Sequence, residues 1–330
     1  MKAIRVTEFG GPEALQLLDA ERPSPGPGEA LVKLTCAGVN FIDIYMRNGS
    51  YAKSATYETP LPMTIGMEGA GTVVELGAGV AGFEEGARVG YCLARGSYAE
   101  YAVVPAWRLA RIPDDIADAV ATTLMLQGCT AHYLTHSAFA LGPEHTCLVH
   151  AGAGGVGQML IQLAKRRGAR VIATVGAPDK ADIARARGAD HVVLYRDEDF
   201  REAVMSLTAG RGVDVVYDAV GKDTIAKSIR SVRRRGLCVN YGGASGLVKS
   251  IEPLELGEAG SIFFTRPHLA DYTASAEEIA WRTGDLFKAC ANGGLTVVID
   301  REYPLAAAAA AHERLAARGT RGKLLLRVGH

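Results

Sequence analysis

Three glycines carry the clearest chemistry in the chain. The stretch Val149-His150-Ala151-Gly152-Ala153-Gly154-Gly155-Val156-Gly157-Gln158 places G-x-G-x-x-G at Gly152, Gly154 and Gly157, after an apolar strand and before a helical run. In such a turn the first glycine permits the tight bend and the second lets the backbone approach a pyrophosphate. The third lets helix and strand pack closely. The amides that open the helix, from Gly155 and Val156 onward, then face the diphosphate, and the helix dipole favours its negative charge. Dinucleotide binding is the expected chemistry, with a purely structural glycine turn as the alternative.

The next strand bears on which dinucleotide. An NAD site usually ends it with Asp or Glu, which holds the ribose 2′-hydroxyl. Here Ile172-Ala173-Thr174-Val175-Gly176-Ala177-Pro178-Asp179-Lys180 has no acid at the strand end and a cation one short turn later. That combination suits a 2′-phosphate, so NADP(H) is expected, with Asp179 read as a residue of the next helix's first turn. Metal chemistry is not expected. His132 and His136 stand four apart on a predicted helix, but no third ligand lies near them in sequence.

These groups need a scaffold, and the 330 residues are enough for about two domains. From Ala3 to about Val104, short β-rich runs such as Ala30–Leu34, Gly71–Leu76, Ala87–Tyr91 and Tyr98–Val104 alternate with Gly and Pro turns. This reads as a barrel or sandwich-like domain. From about Ala117 strands alternate with helices. Strand Cys147–His150 is followed by helix Gly155–Arg167, strand Arg170–Val175, helix Pro178–Arg187 and strand His191–Leu194. Helix Asp199–Thr208, strand Val213–Tyr217, helix Asp223–Arg233 and strand Leu237–Tyr241 follow, then strand Ser261–Thr265 and a helix near Ala274–Ala291. A β-α-β tail is expected at Leu295–Ile299, Leu305–Ala317 and Lys323–Val328. Repeated β-α units predict a parallel, doubly wound sheet.

Composition narrows the setting. Lys plus Arg and Asp plus Glu are equal at 36 each, so no basic excess points to nucleic acid. No apolar run approaches the roughly 20 residues of a membrane span, and the charged opening Met1–Phe9 does not read as a signal peptide. The six cysteines are scattered, without a C-x-x-C pair. Together these features predict a reduced, cytoplasmic protein without a disulfide framework.

The chain resembles the zinc-independent medium-chain dehydrogenases/reductases, in particular the NADPH:quinone oxidoreductases, the group that includes zeta-crystallin. The resemblance runs end to end. It is carried by Phe9–Leu15, Gly38-Val39-Asn40-Phe41-Ile42-Asp43, Gly86-Ala87-Arg88-Val89, Gly96–Tyr101 and Ala151–Gly157. Later matches are Tyr217-Asp218-Ala219-Val220-Gly221, Thr265-Arg266-Pro267 and the tail from Ala311-His312-Glu313 to Gly322-Lys323. It implies an α/β fold in which a doubly wound Rossmann sheet is inserted into a GroES-like, β-rich catalytic domain. The implied division is 1–122, 123–266 and 267–330, the first and last parts forming one domain. Zinc-dependent relatives place Cys and a G-H-E histidine where this chain has Asn40 and Met67, leaving Gly66 and Glu68 of that motif and only Glu68 as a possible ligand.

By resemblance, Lys180, Tyr195 and Arg318 grip the adenosine 2′-phosphate, and Gly176 belongs to the same wall. Thr130 lies near the nicotinamide, and Asn240, Tyr241 and Gly242 follow a strand at the ligand-binding end of the sheet. Asn40, Tyr45, Tyr51 and Gln127 are implied around the reacting ring, although some relatives carry Lys where Gln127 stands. His150 and Asp218 are expected to be structural, and Arg233-Arg234-Arg235 a solvated turn. The expected activity is metal-free hydride transfer from NADPH to a quinone. An NADPH-dependent enone or alkenal reductase is the alternative, and a noncatalytic NADPH-binding structural protein is the alternative of another class. A homodimer through Ser261–Thr265 is the implied assembly.

Overall fold

The computed structural model describes residues 1–329, and the chain separates into two compact units. The first is drawn from both chain ends: Met1–Cys129, Thr273–Gly293 and the tail from Val297. The second comprises Thr130–Tyr272 and Gly294–Thr296.

The first unit is the GroES-like one. Its hub is the strand Glu29–Val39, which pairs antiparallel with Glu68–Leu76, Tyr101–Pro105 and Lys323–Arg327. Alternation along the hub turns Ala30, Val32 and Leu34 inward, where they meet Val73, Val89, Tyr91, Ala102 and Val104 in a buried cluster. The C-terminal strand places Leu324 opposite Val39 and Leu326 opposite Ala37. Its apolar run Leu324-Leu325-Leu326 is fully buried, so the chain's end completes a sheet begun near its start. The tail is a β-α-β unit, with Ile299–Pro304 and Lys323–Arg327 parallel and the helix Ala308–Ala316 between them. The first of these strands begins later than the expected Leu295–Ile299. The main chain at Thr296 is taken by Gln162 instead, whose amide bonds it at 2.8 and 3.0 Å.

The second unit holds six parallel strands in the spatial order His191–Leu194, Arg170–Val175, Thr146–Val149, Val213–Asp218, Val232–Asn240, Phe263–Thr265. Numbered by sequence this is 3-2-1-4-5-6, the doubly wound Rossmann order. Leu148, Ile172, Val193, Val216 and Cys238 belong to a buried cluster of this unit. One expected helix is shorter than read. Asp223–Arg233 contains only Ile225–Ile229, because the next strand starts at Val232 rather than Leu237. The basic run therefore lies in a strand, not a solvated turn. Arg233 Nε donates to the buried Asp214 carboxylate at 2.6 Å, whereas Arg234 and Arg235 are exposed. Arg235, at φ +55°, sits where the register with Val213–Asp218 shifts.

The unit boundaries run near 1–122, 123–266 and 267–330 without coinciding with them. Residues 123–129 go with the first unit, where the Leu126 amide bonds Glu68. Residues 267–272 go with the second, where Tyr272 stacks on Tyr133 at 4.3 Å. All six cysteines are free thiols, five of them buried.

Candidate active site

The glycine turn of the second unit leaves no room for a side chain at Gly152 or Gly157. A Cβ on Gly157 would run into the Ala151 carbonyl oxygen, and one on Gly152 would lie 2.9 Å from Ala173 Cβ. The turn is closed by Gly154 N–H donating to Ala151 O (2.8 Å) and Gly152 N–H to Thr174 O (3.0 Å). The 12-residue helix Gly155–Arg166 starts from Gly154, and no side chain caps it. Its opening amides, including those of Gly155 and Val156, therefore have no capping acceptor in their way. A pyrophosphate fits this cradle by charge and by space.

At the end of the adjoining strand, Gly176 lets an aromatic ring close in: a Cβ there would lie 2.6 Å from Tyr195 Oη. Tyr195 is itself 44% exposed, its amide tied to Val175 O at 3.2 Å. Lys180 lies in the first turn of the helix Pro178–Ala186, behind the exposed Asp179, and no carboxylate ends the strand. At the C-terminal end of Val232–Asn240, Asn240 Nδ2 donates to Asp218 O (3.2 Å) and Gly242 O (2.9 Å), and Tyr241 N–H donates to Asp218 O (2.9 Å). Burial pushes the Tyr241 phenol up. Asp218 also holds the amides of Val220 and Gly221, and the buried His150 bridges the Thr174 and Ser228 hydroxyls. His150 and Asp218 thus build the scaffold. Thr130 is buried in this unit, and Arg318 is an exposed residue of the first unit at φ +55°.

The first unit gathers Asn40, Tyr45, Tyr51 and Gln127 among its own elements. Asn40 starts the helix Phe41–Arg47: its N–H donates to Asp43 Oδ2 at 2.8 Å, and its main-chain carbonyl accepts the Asp43 N–H at 3.1 Å. Both ends of its amide are also engaged elsewhere, Nδ2 with Glu68 Oε2 (2.8 Å) and Oδ1 with Lys323 Nζ (2.7 Å). The helix carries Phe41 and Tyr45 on one face, and the turn beyond brings Tyr51 back. Ring centroids are 6.1 Å apart for Phe41–Tyr45, 5.3 Å for Tyr45–Tyr51 and 5.4 Å for Tyr51–Tyr57, the last pair stacked. Gln127 sits in the π-turn Leu124–Gly128, and its Oε1 is buried without a hydrogen-bond partner among the described residues. An orphaned amide oxygen is costly, and a donor on a bound ligand is the group that fits it.

Behind this face, Tyr98 Oη bonds Asp43 Oδ2 (3.2 Å) and His312 Nε2 (3.0 Å), while Arg47 lies 3.2 Å from His312 Nδ1. Burial raises the Asp43 carboxyl to about 7, against the opposing pull of the Asn40 amide. Burial, with Arg47 alongside, lowers His312 to about 3. His132 and His136 stack face to face at 3.9 Å, and no group of three or more His, Cys, Asp or Glu among the described residues is placed to hold a metal ion.

Comparison with known proteins agrees with this architecture. Residues 26–114 match the alcohol dehydrogenase GroES-like domain, and residues 155–280 the model described as zinc-binding dehydrogenase. Quinone oxidoreductase 1 of Escherichia coli is 38% identical over 326 residues, 98% of each chain. The chain belongs to the quinone oxidoreductase family of medium-chain reductases. The 2-haloacrylate reductase of a Burkholderia species is 40% identical over 321 residues, 96% of each chain. A mycobacterial protein whose structure was solved with NADPH superimposes with a TM-score of 0.95 at 43% identity, covering 99% of this chain and 100% of that one.

For this quinone oxidoreductase family member, sequence reading missed three residues that shape the first unit. Tyr57 had a signal, since Tyr45, Tyr51 and Tyr57 recur every six residues. Glu68 was visible only as the remnant of a metal motif. Lys323 had no local signal, because its partners lie 255 and 283 residues away.

Proposed function

We propose that the chain is an NADPH-dependent quinone reductase that works without a metal. The observation that carries this reading is the uncapped glycine cradle at Gly152–Gly157, built to receive a dinucleotide pyrophosphate. The acceptor class follows the relatives named quinone oxidoreductase. NADPH supplies a hydride, which adds to the quinone with its electron pair. Loss of the hydride would leave NADP⁺, and a proton from solvent or from a water ordered by Tyr45 or Tyr51 would complete the hydroquinone. Lys180, Tyr195 and Arg318 hold the 2′-phosphate, while Gly152, Gly154, Gly155, Val156 and Gly157 hold the diphosphate. Thr130, Gly176, Asn240, Tyr241 and Gly242 line the rest of the cofactor. Gln127 offers its orphaned oxygen to a donor on the cofactor, and the aromatic series from Phe41 to Tyr57 suits a flat acceptor. The metal-free reading is supported by Glu68, whose two oxygens are already taken by Lys323, Asn40 and the Leu126 amide.

The 2-haloacrylate reductase relative favours a second reading, reduction of an activated alkene with the same cofactor. Steady-state NADPH oxidation with a panel of quinones and enones tests both; turnover of enones alone would reject the quinone assignment. A cytoplasmic setting accords with the absence, among the described residues, of any helix long and apolar enough to cross a membrane. A homodimer through the edge strand Phe263–Thr265, where Phe263 is 64% exposed, is expected and is checked by light scattering. No partner nucleic acid is expected.

A further inference from the structure

We propose that Lys323 and Glu68 are a positioning pair: their buried ion pair holds the Asn40 amide and the turn carrying Gln127 in the register that the proposed reduction needs. The inference rests on that functional reading. Both side chains are wholly inaccessible to solvent. Lys323 Nζ donates to Glu68 Oε2 and to Asn40 Oδ1 (2.7 Å), and Asn40 Nδ2 donates to the same Glu68 oxygen (2.8 Å), closing a three-residue ring. The other oxygen, Oε1, accepts the Leu126 N–H at 2.6 Å, one residue before Gln127. Gly38 is part of the device, since a Cβ there would run into the Glu68 carboxylate and lie 2.8 Å from Lys323 Nζ.

Stability alone does not account for such a pair. Taking two charges out of water costs several kcal/mol per ion, and a well-packed apolar pair of similar volume often does as well or better. An apolar pair would leave three things undone. It would not accept the Leu126 amide inside a π-turn, a kind of turn frequent at functional sites. It would not fix which way the Asn40 amide faces. It would not tie the strand Lys323–Arg327 and the strand Glu68–Leu76 to the start of the helix bearing Tyr45. Four segments distant in sequence are therefore locked by one carboxylate. The field of Glu68 is felt by Asp43, Tyr91, Cys92, Tyr98 and Cys129, and that of Lys323 by Asp43 and Cys92. Removing either charge leaves the other buried without the partner that touches it.

The test compares wild type, Lys323→Met, Glu68→Gln and the double variant. It uses NADPH fluorescence titration, steady-state reduction of menadione, thermal melts, and hydrogen exchange of the peptide spanning 124–129. Lys323→Met should keep its NADPH affinity within about twofold, because the proposed cofactor groups lie mainly in the other unit, and lose about tenfold or more in kcat/KM. A buried carboxylate without its cation is driven toward the neutral form. The Lys323→Met profile should therefore gain a pH dependence absent from wild type, with activity recovering toward acid. The double variant should recover thermal stability and lose that pH dependence while kcat stays low. Exchange at 124–129 should speed up in all three variants. A lowered melting temperature with kcat/KM, pH profile and exchange all like wild type would overturn the proposal. If the wild type reduces no quinone, the functional reading falls separately, and the exchange data still decide whether the pair holds the turn.

Discussion

The glycine turn of the second unit and the polar cluster of the first are made of different materials. At Gly152–Gly157 the proposed recognition is by main chain, and the local requirement is that Gly152 and Gly157 carry no side chain. Around Glu68 it is done by side chains, with buried charges cancelling one another and each partner arriving from a distant part of the sequence. A main-chain site tolerates almost nothing at its few glycine positions and is nearly indifferent elsewhere. A side-chain cluster fails by degrees, and its failures are coupled through shared hydrogen bonds. The two should therefore break differently.

The largest effect is expected at the turn. Gly157→Val pushes a branched side chain into the Ala151 carbonyl and should weaken NADPH by about 100-fold or more, some 2.7 kcal/mol, in a chain whose circular dichroism stays native. Near-normal NADPH titration would contradict the cradle. Lys180→Ala comes next. Losing one charge-assisted contact, worth roughly 1.5–3 kcal/mol, should weaken NADPH by about tenfold to 100-fold and leave NADH unchanged, as read by competitive titration. Equal losses would remove Lys180 from the 2′-phosphate site.

In the first unit, Tyr51→Phe keeps the ring against Tyr45 and Tyr57 but deletes the hydroxyl. It should lower kcat about tenfold, less than a direct proton donor would supply because Tyr51 acts through an ordered water, without changing NADPH affinity. An unchanged kcat would reduce Tyr51 to a packing role.

The smallest effects are on stability, and they sharpen the contrast by sign. His312, held near 3, stays neutral in the fold, so the unfolded chain binds its proton more readily from there up to the ordinary histidine range. Stability is lost as pH falls through that window. Asp43, raised to about 7, runs the other way. The folded chain keeps this proton between the ordinary carboxylate range and about 7, and stability is lost as pH rises there. Melts as a function of pH should show Asp43→Asn gaining on wild type by a few degrees as pH rises toward neutrality. His312→Gln should gain as pH falls below it. Curves parallel to wild type in both variants would mean that neither group titrates as described.

What could be read in advance follows the same division. The turn, the missing acid after Val175 and the six strands of the second unit were legible because each depends on residues close in sequence. The strand Arg170–Val175 and the strand His191–Leu194 agree residue for residue. The interrupted order of the chain came from resemblance, and its physical cause is the pairing of Leu324 with Val39. The helix expected over Asp223–Arg233 was overextended because Arg233 answers to Asp214, a tertiary partner that periodicity does not see. The partners of Asn40 were equally out of reach of local pattern. The structure shows its amide engaged by Glu68 and Lys323, and no pattern near residue 40 announces a lysine at 323.

The central claim is that this chain carries a hydride from NADPH to a quinone. Rapid mixing of the NADPH-loaded protein with menadione, repeated with NADPH deuterated on either face of the transferring carbon, tests it in one turnover. The account predicts loss of NADPH matched by hydroquinone formed, with a primary isotope effect for one face only. NADPH that binds but stays reduced before menadione would contradict it.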